Sequence, residues 1–94
     1  MDPRRTARIF KALSAEARVR MIALLRRRSL CVNALARALR ITPAAVSQHL
    51  RLLRDLNVVK AVKRGYFVHY SVNERTLSDW SRAARDLLDP DRKP

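Results

Sequence analysis

Ala44, Ser47, Gln48 and Arg51 fall on one side of a helix that Thr42-Pro43 would start, and with Thr42 at its cap they are, of all the residues in this 94-residue chain, the best suited to reading a ligand. Val46, Leu50 and Leu53 recur at i, i+4 and i+7 on the other side, so one face is held inward while the first is left outward. The outward set mixes small residues, which let a backbone come close, with Gln48 and Arg51, which can form paired hydrogen bonds to base edges. Lys63 and Arg64 stand beside Gly65, the only glycine, and are a second cationic set suited to phosphate or the minor groove; Arg54 is a further backbone contact. Cys31 is the only thiol. It reads first as a small half-buried apolar residue, and second as a redox-responsive thiol, because a helix start and Arg26–Arg28 lie close in sequence. His49 lies on the flank of the Pro43 helix, and His69 reads as an exposed strand residue. There is no Ser/His/Asp set, carboxylate pair or glycine-rich phosphate loop, so neither enzymatic activity nor a cofactor or metal is expected.

These side chains need elements to position them. Ile9, Phe10 and Leu13 share a face of a first helix over 4–13. Ser14 is suited to N-cap a second helix, in which Val19, Ile22 and Leu25 point inward and Arg26–Arg28 complement the C-terminal carbonyls. A third helix over 32–39 turns Val32, Leu35, Ala36 and Leu39 inward. Thr42 then caps a fourth, which Pro43 opens and which runs to Leu56. Asn57 suits a left-handed cap. The β-rich runs on either side of Arg64-Gly65 form a hairpin, with Tyr66, Val68, Tyr70 and Val72 alternating onto a half-buried face. Asn73 caps a last helix over 74–89, with a mobile tail over 90–94. The chain is therefore mainly α with a small β-hairpin, in the order α-α-α-α-β-β-α. A short helix pair closed by a tight turn is shared by helix-turn-helix units and ordinary αα-hairpins, and the hairpin that follows makes the winged form the better match.

Charge weighs in the same direction. Lys and Arg number 21 against 8 Asp and Glu, a formal net charge of +13. Twelve of the cations and a single acid, Asp55, fall within 17–73, whereas 74–94 carries five of each sign. An ordinary soluble surface mixes signs; a segment this cationic attracts polyphosphate, and duplex DNA is the expected partner. A winged helix used as a protein-interaction module is the alternative. Membrane-surface binding fits poorly, because the cationic and apolar faces lie on different elements. A length below 100 residues gives one domain over 1–94, and Leu, Ile, Val and Phe, at 26 residues, are too many for a disordered chain. The longest apolar run, Met21 to Leu25, cannot span a bilayer, and the opening Met1-Asp2-Pro3-Arg4-Arg5 has no secretory pattern, so a cytoplasmic protein is expected. Leu77, Trp80, Ala84 and Leu87 on the last helix, with Ile9 and Phe10 on the first, form more apolar surface than so small a domain readily covers. Pairing of two copies is expected there.

The stretch Phe10 to Leu25, the segment Thr42-Pro43-Ala44-Ala45-Val46-Ser47-Gln48-His49-Leu50-Arg51-Leu52-Leu53, and the Gly65 hairpin ending Val68-His69-Tyr70-Ser71-Val72 resemble the ArsR/SmtB family of bacterial winged-helix repressors. The resemblance covers about residues 6–88. It implies a homodimer built on the first and last helices, operator binding through the fourth, and repression relieved by an effector. The effector is where this chain departs from the family. Where many members carry Leu-Cys-Val-Cys, it reads Leu30-Cys31-Val32-Asn33, and its last helix has no histidine. One thiolate per chain cannot supply a soft-metal set, so the effector is left unknown.

Overall fold

The computed structural model describes residues 1–92. Its elements are α1 (Pro3–Ala12), α2 (Glu16–Arg27), α3 (Val32–Leu39), α4 (Pro43–Asp55), β1 (Val59–Arg64), β2 (Phe67–Val72) and α5 (Glu74–Leu88), a winged helix-turn-helix in the expected order. Helix α1 starts one residue earlier than its apolar spacing indicates. The Asp2 carboxylate accepts from the N–H groups of Arg4 and Arg5 at 3.0 and 3.4 Å, and Pro3 at the first helical position has no N–H to satisfy.

Ser14 does not cap α2. The chain folds back tightly after α1, Ser14 Oγ donates to the Lys11 carbonyl at 2.6 Å, and the cap position falls to Ala15, with no side-chain bond. The buried residues of α2 are Met21, Ile22 and Leu25, and Val19, expected inward, is exposed. Val19 stands more than a quarter of a turn from the centre of that stripe, so three-residue spacing alone misplaced the face.

Thr42 and Asn73 cap α4 and α5 as their sequence positions indicate, Thr42 Oγ1 accepting from Ala45 N–H at 3.1 Å and Asn73 Oδ1 from Arg75 N–H at 3.2 Å. Arg40 and Asn57 close α3 and α4 in the left-handed region, at φ 56° and 62°. The strands pair antiparallel from Val59 opposite Val72 to Arg64 opposite Phe67, leaving Gly65-Tyr66 as a two-residue turn. Gly65 has φ 62° at the first turn position, where a type II′ turn needs the left-handed conformation. On the other side of β2, Leu30 and Tyr70 exchange backbone hydrogen bonds of 3.1 and 2.8 Å, so the α2–α3 link clamps the hairpin to the helices. Nothing in the hydrophobic pattern announces this bridge.

Met21, Leu35, Val46, Leu50, Leu53 and Val58 are fully enclosed at the centre of the core, where α2, α3, α4 and the start of β1 meet. Packing of α1 against α5 extends the core through Ile9 and Trp80. Of the tail expected over 90–94, Asp91 N–H bonds Asp89 Oδ1 at 2.9 Å and Arg92 pairs with Asp86, while residues 93–94 lie outside the described part. Among the described residues, no helix is long and apolar enough to cross a membrane.

Candidate nucleic-acid interface

The link Arg40-Ile41-Thr42 sets α4 against α3. Burial of Val46, Leu50 and Leu53 fixes the rotation of α4 about its own axis, and that rotation leaves Thr42, Ala44, Ser47, Gln48 and Arg51 exposed together, with Arg54 exposed one turn beyond Leu50. Pro43 and the Thr42 cap open this helix with no acidic residue in its first turn. The positive end of the helix dipole therefore lies beside the small residues and is not neutralised by the chain itself. Lys63 and Arg64 are exposed at the end of the hairpin. Among the described residues the ion pairs are Arg82–Asp79 and Arg92–Asp86, both in or just after α5, so the cations of 17–73 have no carboxylate partner.

Two arginines of this segment bond to the fold, Arg18 the more closely, and sequence reasoning missed both. Arg18, on α2, donates from Nε to the Ala12 carbonyl at 2.7 Å and from a second nitrogen to the Lys11 carbonyl at 3.3 Å, closing the C-terminal end of α1. Its remaining guanidinium nitrogen lies 3.2 Å from His49 Nδ1. A guanidinium only donates, so in this contact Nδ1 is the acceptor. Arg18 thus ties α1, α2 and α4 together at one point. Arg20 makes a looser pair of bonds, both 3.4 Å, to the Ala38 and Leu39 carbonyls of α3. The only signal available beforehand was an arginine close to the inner stripe of α2.

Three residues on the hairpin differ from their expected places, among them Val68, which was expected on the half-buried face and is exposed. Tyr66 was expected on the half-buried strand face but is 100% exposed, because the two-residue turn lifts it off the sheet. His69 was expected to be exposed and is half-buried, with Nδ1 enclosed and unpartnered among the described residues. Cys31 is half-buried at the N-cap of α3 and caps nothing with its side chain. Among the described residues no three His, Cys, Asp or Glu side chains gather in a group able to hold a metal ion.

The apolar surface of α1 and α5 divides in two. Ile9, at 4% exposure, and Trp80, at 7%, are core residues of the single chain, so neither offers much surface to a second copy. Phe10 and Leu87 are exposed, while Leu77 and Ala84 are half-buried. Between α1, α2 and α5 lies a cleft of about 450 Å³, lined by Phe10, Leu13, Leu77 and Ala84 above Ile9 and Trp80.

Residues 15–61 match the family described as "Bacterial regulatory protein, arsR family". The "Transcriptional repressor SmtB homolog" of Synechocystis sp. is 37% identical over 82 residues, which are 87% of this chain and 62% of that protein. The "Transcriptional repressor SdpR" of Bacillus subtilis is 30% identical over 71 residues, 76% of this chain and 79% of that one. Among solved structures, the "ArsR-like Transcriptional Regulator from Rhodococcus sp. RHA1" superposes with a TM-score of 0.77 at 28% identity, over 87% of this chain and 77% of that one. Against several of its curated relatives, the Synechocystis protein among them, the chain spans only 52% to 62% of their length.

Proposed function

The chain belongs to the arsR family of bacterial regulatory proteins, and from that membership we propose that it is a sequence-specific transcriptional repressor that binds duplex DNA as a homodimer. The observation that carries this reading is the outward face of α4. Small and hydrogen-bonding side chains lie there together at a proline-started helix, in a segment whose cations have no carboxylate partner. In the major groove, Gln48 and Arg51 read base edges, Ser47 supplies a hydroxyl, and Thr42 and Ala44 allow close approach at the helix start. Arg54, Lys63 and Arg64 hold phosphates and so fix the register without carrying sequence information.

Two copies join through the exposed apolar edge of α1 and α5, with Phe10 and Leu87 as the side chains still free to be covered. Five cations and five acids in 74–94 leave that edge without the self-repulsion that the central segment would impose. The chain acts by binding, not by catalysis, and works in the cytoplasm. Cys31 alone supplies no soft-metal set, so an effector, if used, is of another chemistry.

The test is a pair of substitutions read on a random duplex pool. Gln48→Ala relaxes the selected sequence at one position per half-site, at a cost of ~1–3 kcal/mol in discrimination. Lys63→Ala weakens all sequences alike and lowers the salt slope by about one. An unchanged selected sequence for Gln48→Ala refutes the assignment of the reading face.

A further inference from the structure

The hairpin that carries Lys63 and Arg64 ends in two uncovered aromatic rings. Tyr66 is 100% exposed and Phe67 63% exposed, so one ring is bare and most of the other is open to solvent. An aromatic ring of this kind carries a large apolar area, roughly 150–250 Å² when buried, so two of them at one tip are a surface that awaits a partner. The setting selects the partner. From Val59 to Val72 the hairpin contains Lys60, Lys63 and Arg64 and no acid, and the register puts Arg64 directly opposite Phe67. An apolar protein groove would gain nothing from this charge, whereas a polyanion with apolar interior steps takes both features at once.

We propose that Tyr66 and Phe67 form an apolar wedge that enters the minor groove of the bound duplex and partly unstacks one base step, while Lys63 and Arg64 hold the flanking phosphates. This rests on the DNA-binding reading above and adds to it a shape-dependent part of site selection. Wedges of this chemistry kink duplexes at flexible pyrimidine–purine steps, which cost least to open. The tip is built for insertion without much ordering cost. Gly65 at φ 62° fixes a two-residue turn, and the Leu30–Tyr70 bridge clamps the far side of β2 to the helical body.

The experiment uses the full chain and a duplex selected by the wild type, carrying 2-aminopurine in turn at each step flanking the α4 half-site. Affinity is measured by anisotropy at several salt concentrations, and unstacking by 2-aminopurine brightening. Tyr66 is fully exposed and Phe67 mostly so, and Tyr66→Ala keeps the wild-type thermal midpoint while Phe67→Ala stays close to it, which is checked first. The expected result is that wild-type protein brightens one step, and that each variant loses this response together with about tenfold in affinity. The salt slope stays unchanged, in contrast to Lys63→Ala, which lowers it by about one. Variants that bind as tightly as wild type overturn the proposal and leave the rings to an apolar protein partner. A loss of affinity that appears wholly as a smaller salt slope also overturns it. Failure of the wild type to bind any duplex in the pool refutes the DNA-binding reading itself, and is recognised before any variant is made.

Discussion

Removing the Arg18 guanidinium tests how α4 is held. In Arg18→Met the aliphatic stem remains, and three contacts go: 2.7 Å to the Ala12 carbonyl, 3.3 Å to the Lys11 carbonyl and 3.2 Å to His49 Nδ1. These losses are unequal. The Lys11 carbonyl keeps Ser14, whose N–H and hydroxyl lie at 3.1 and 2.6 Å, so little is lost there. The carbonyl of buried Ala12, at the negative end of α1, loses its partner; leaving such a group unsatisfied costs about 1–3 kcal/mol, and the lost cation at a helix C-terminus adds ~0.3–1 kcal/mol. With the His49 contact, the total is about 2–4 kcal/mol. For a domain of this size each kcal/mol shifts Tm by roughly 4–8 °C, so Tm should fall by about 8–32 °C.

Arg20→Met is the control, because its two bonds, each 3.4 Å to carbonyls of α3, are long and largely solvent-facing; its cost should stay below about 1 kcal/mol. Calorimetry of both variants, followed by a double-mutant cycle of Arg18→Met with His49→Ala, measures the link to α4. A coupling of about 0.5–3 kcal/mol is expected for side chains in contact. Equal small shifts for Arg18→Met and Arg20→Met, with no coupling to His49, would refute the argument.

Trp80→Asp should unfold the chain, not merely separate two copies: a carboxylate forced into the core costs several kcal/mol out of a typical stability of about 5–15, and circular dichroism at 25 °C should lose its helical signal. Leu87→Glu, on the exposed edge of α5, should instead give monomers of unchanged helicity that bind operator weakly, as judged by sedimentation. Zinc, cadmium and arsenite at low micromolar concentration should not release DNA. Cys31 is a lone half-buried thiol per chain, and release that is stoichiometric and abolished by Cys31→Ser would contradict this.

The elements that position the outward face of α4 were legible because local chemistry and packing agree there. Thr42-Pro43 starts α4 both by steric preference and by capping, and the Val46, Leu50, Leu53 stripe then sets its rotation. Around α2 that agreement fails. Ser14 has the chemistry of an N-cap, but its hydroxyl is taken by the end of α1, and Val19 fits a three-residue spacing while the core selects Met21. Ile9 and Trp80 looked like interface residues because the sequence shows an excess of apolar surface without saying which part the chain covers itself. Arg18 could not be identified as structural, because three contacts to two other helices leave no periodic trace. Tyr66 continues the alternation of β2 on paper, and only the length of the turn shows that the sheet has already ended.

The central claim is sequence-specific duplex binding driven in large part by charge. It is tested most directly by titrating the chain against its selected duplex and a scrambled one at 50 and 200 mM salt. Two copies carry twice +13, or +26, and a dimer that neutralises about 6–10 phosphates should lose roughly 10³–10⁵-fold in affinity over that range. The selected duplex should stay well ahead of the scrambled one at both salt concentrations. Affinity that is nearly flat in salt, or equal for the two duplexes, would contradict the account.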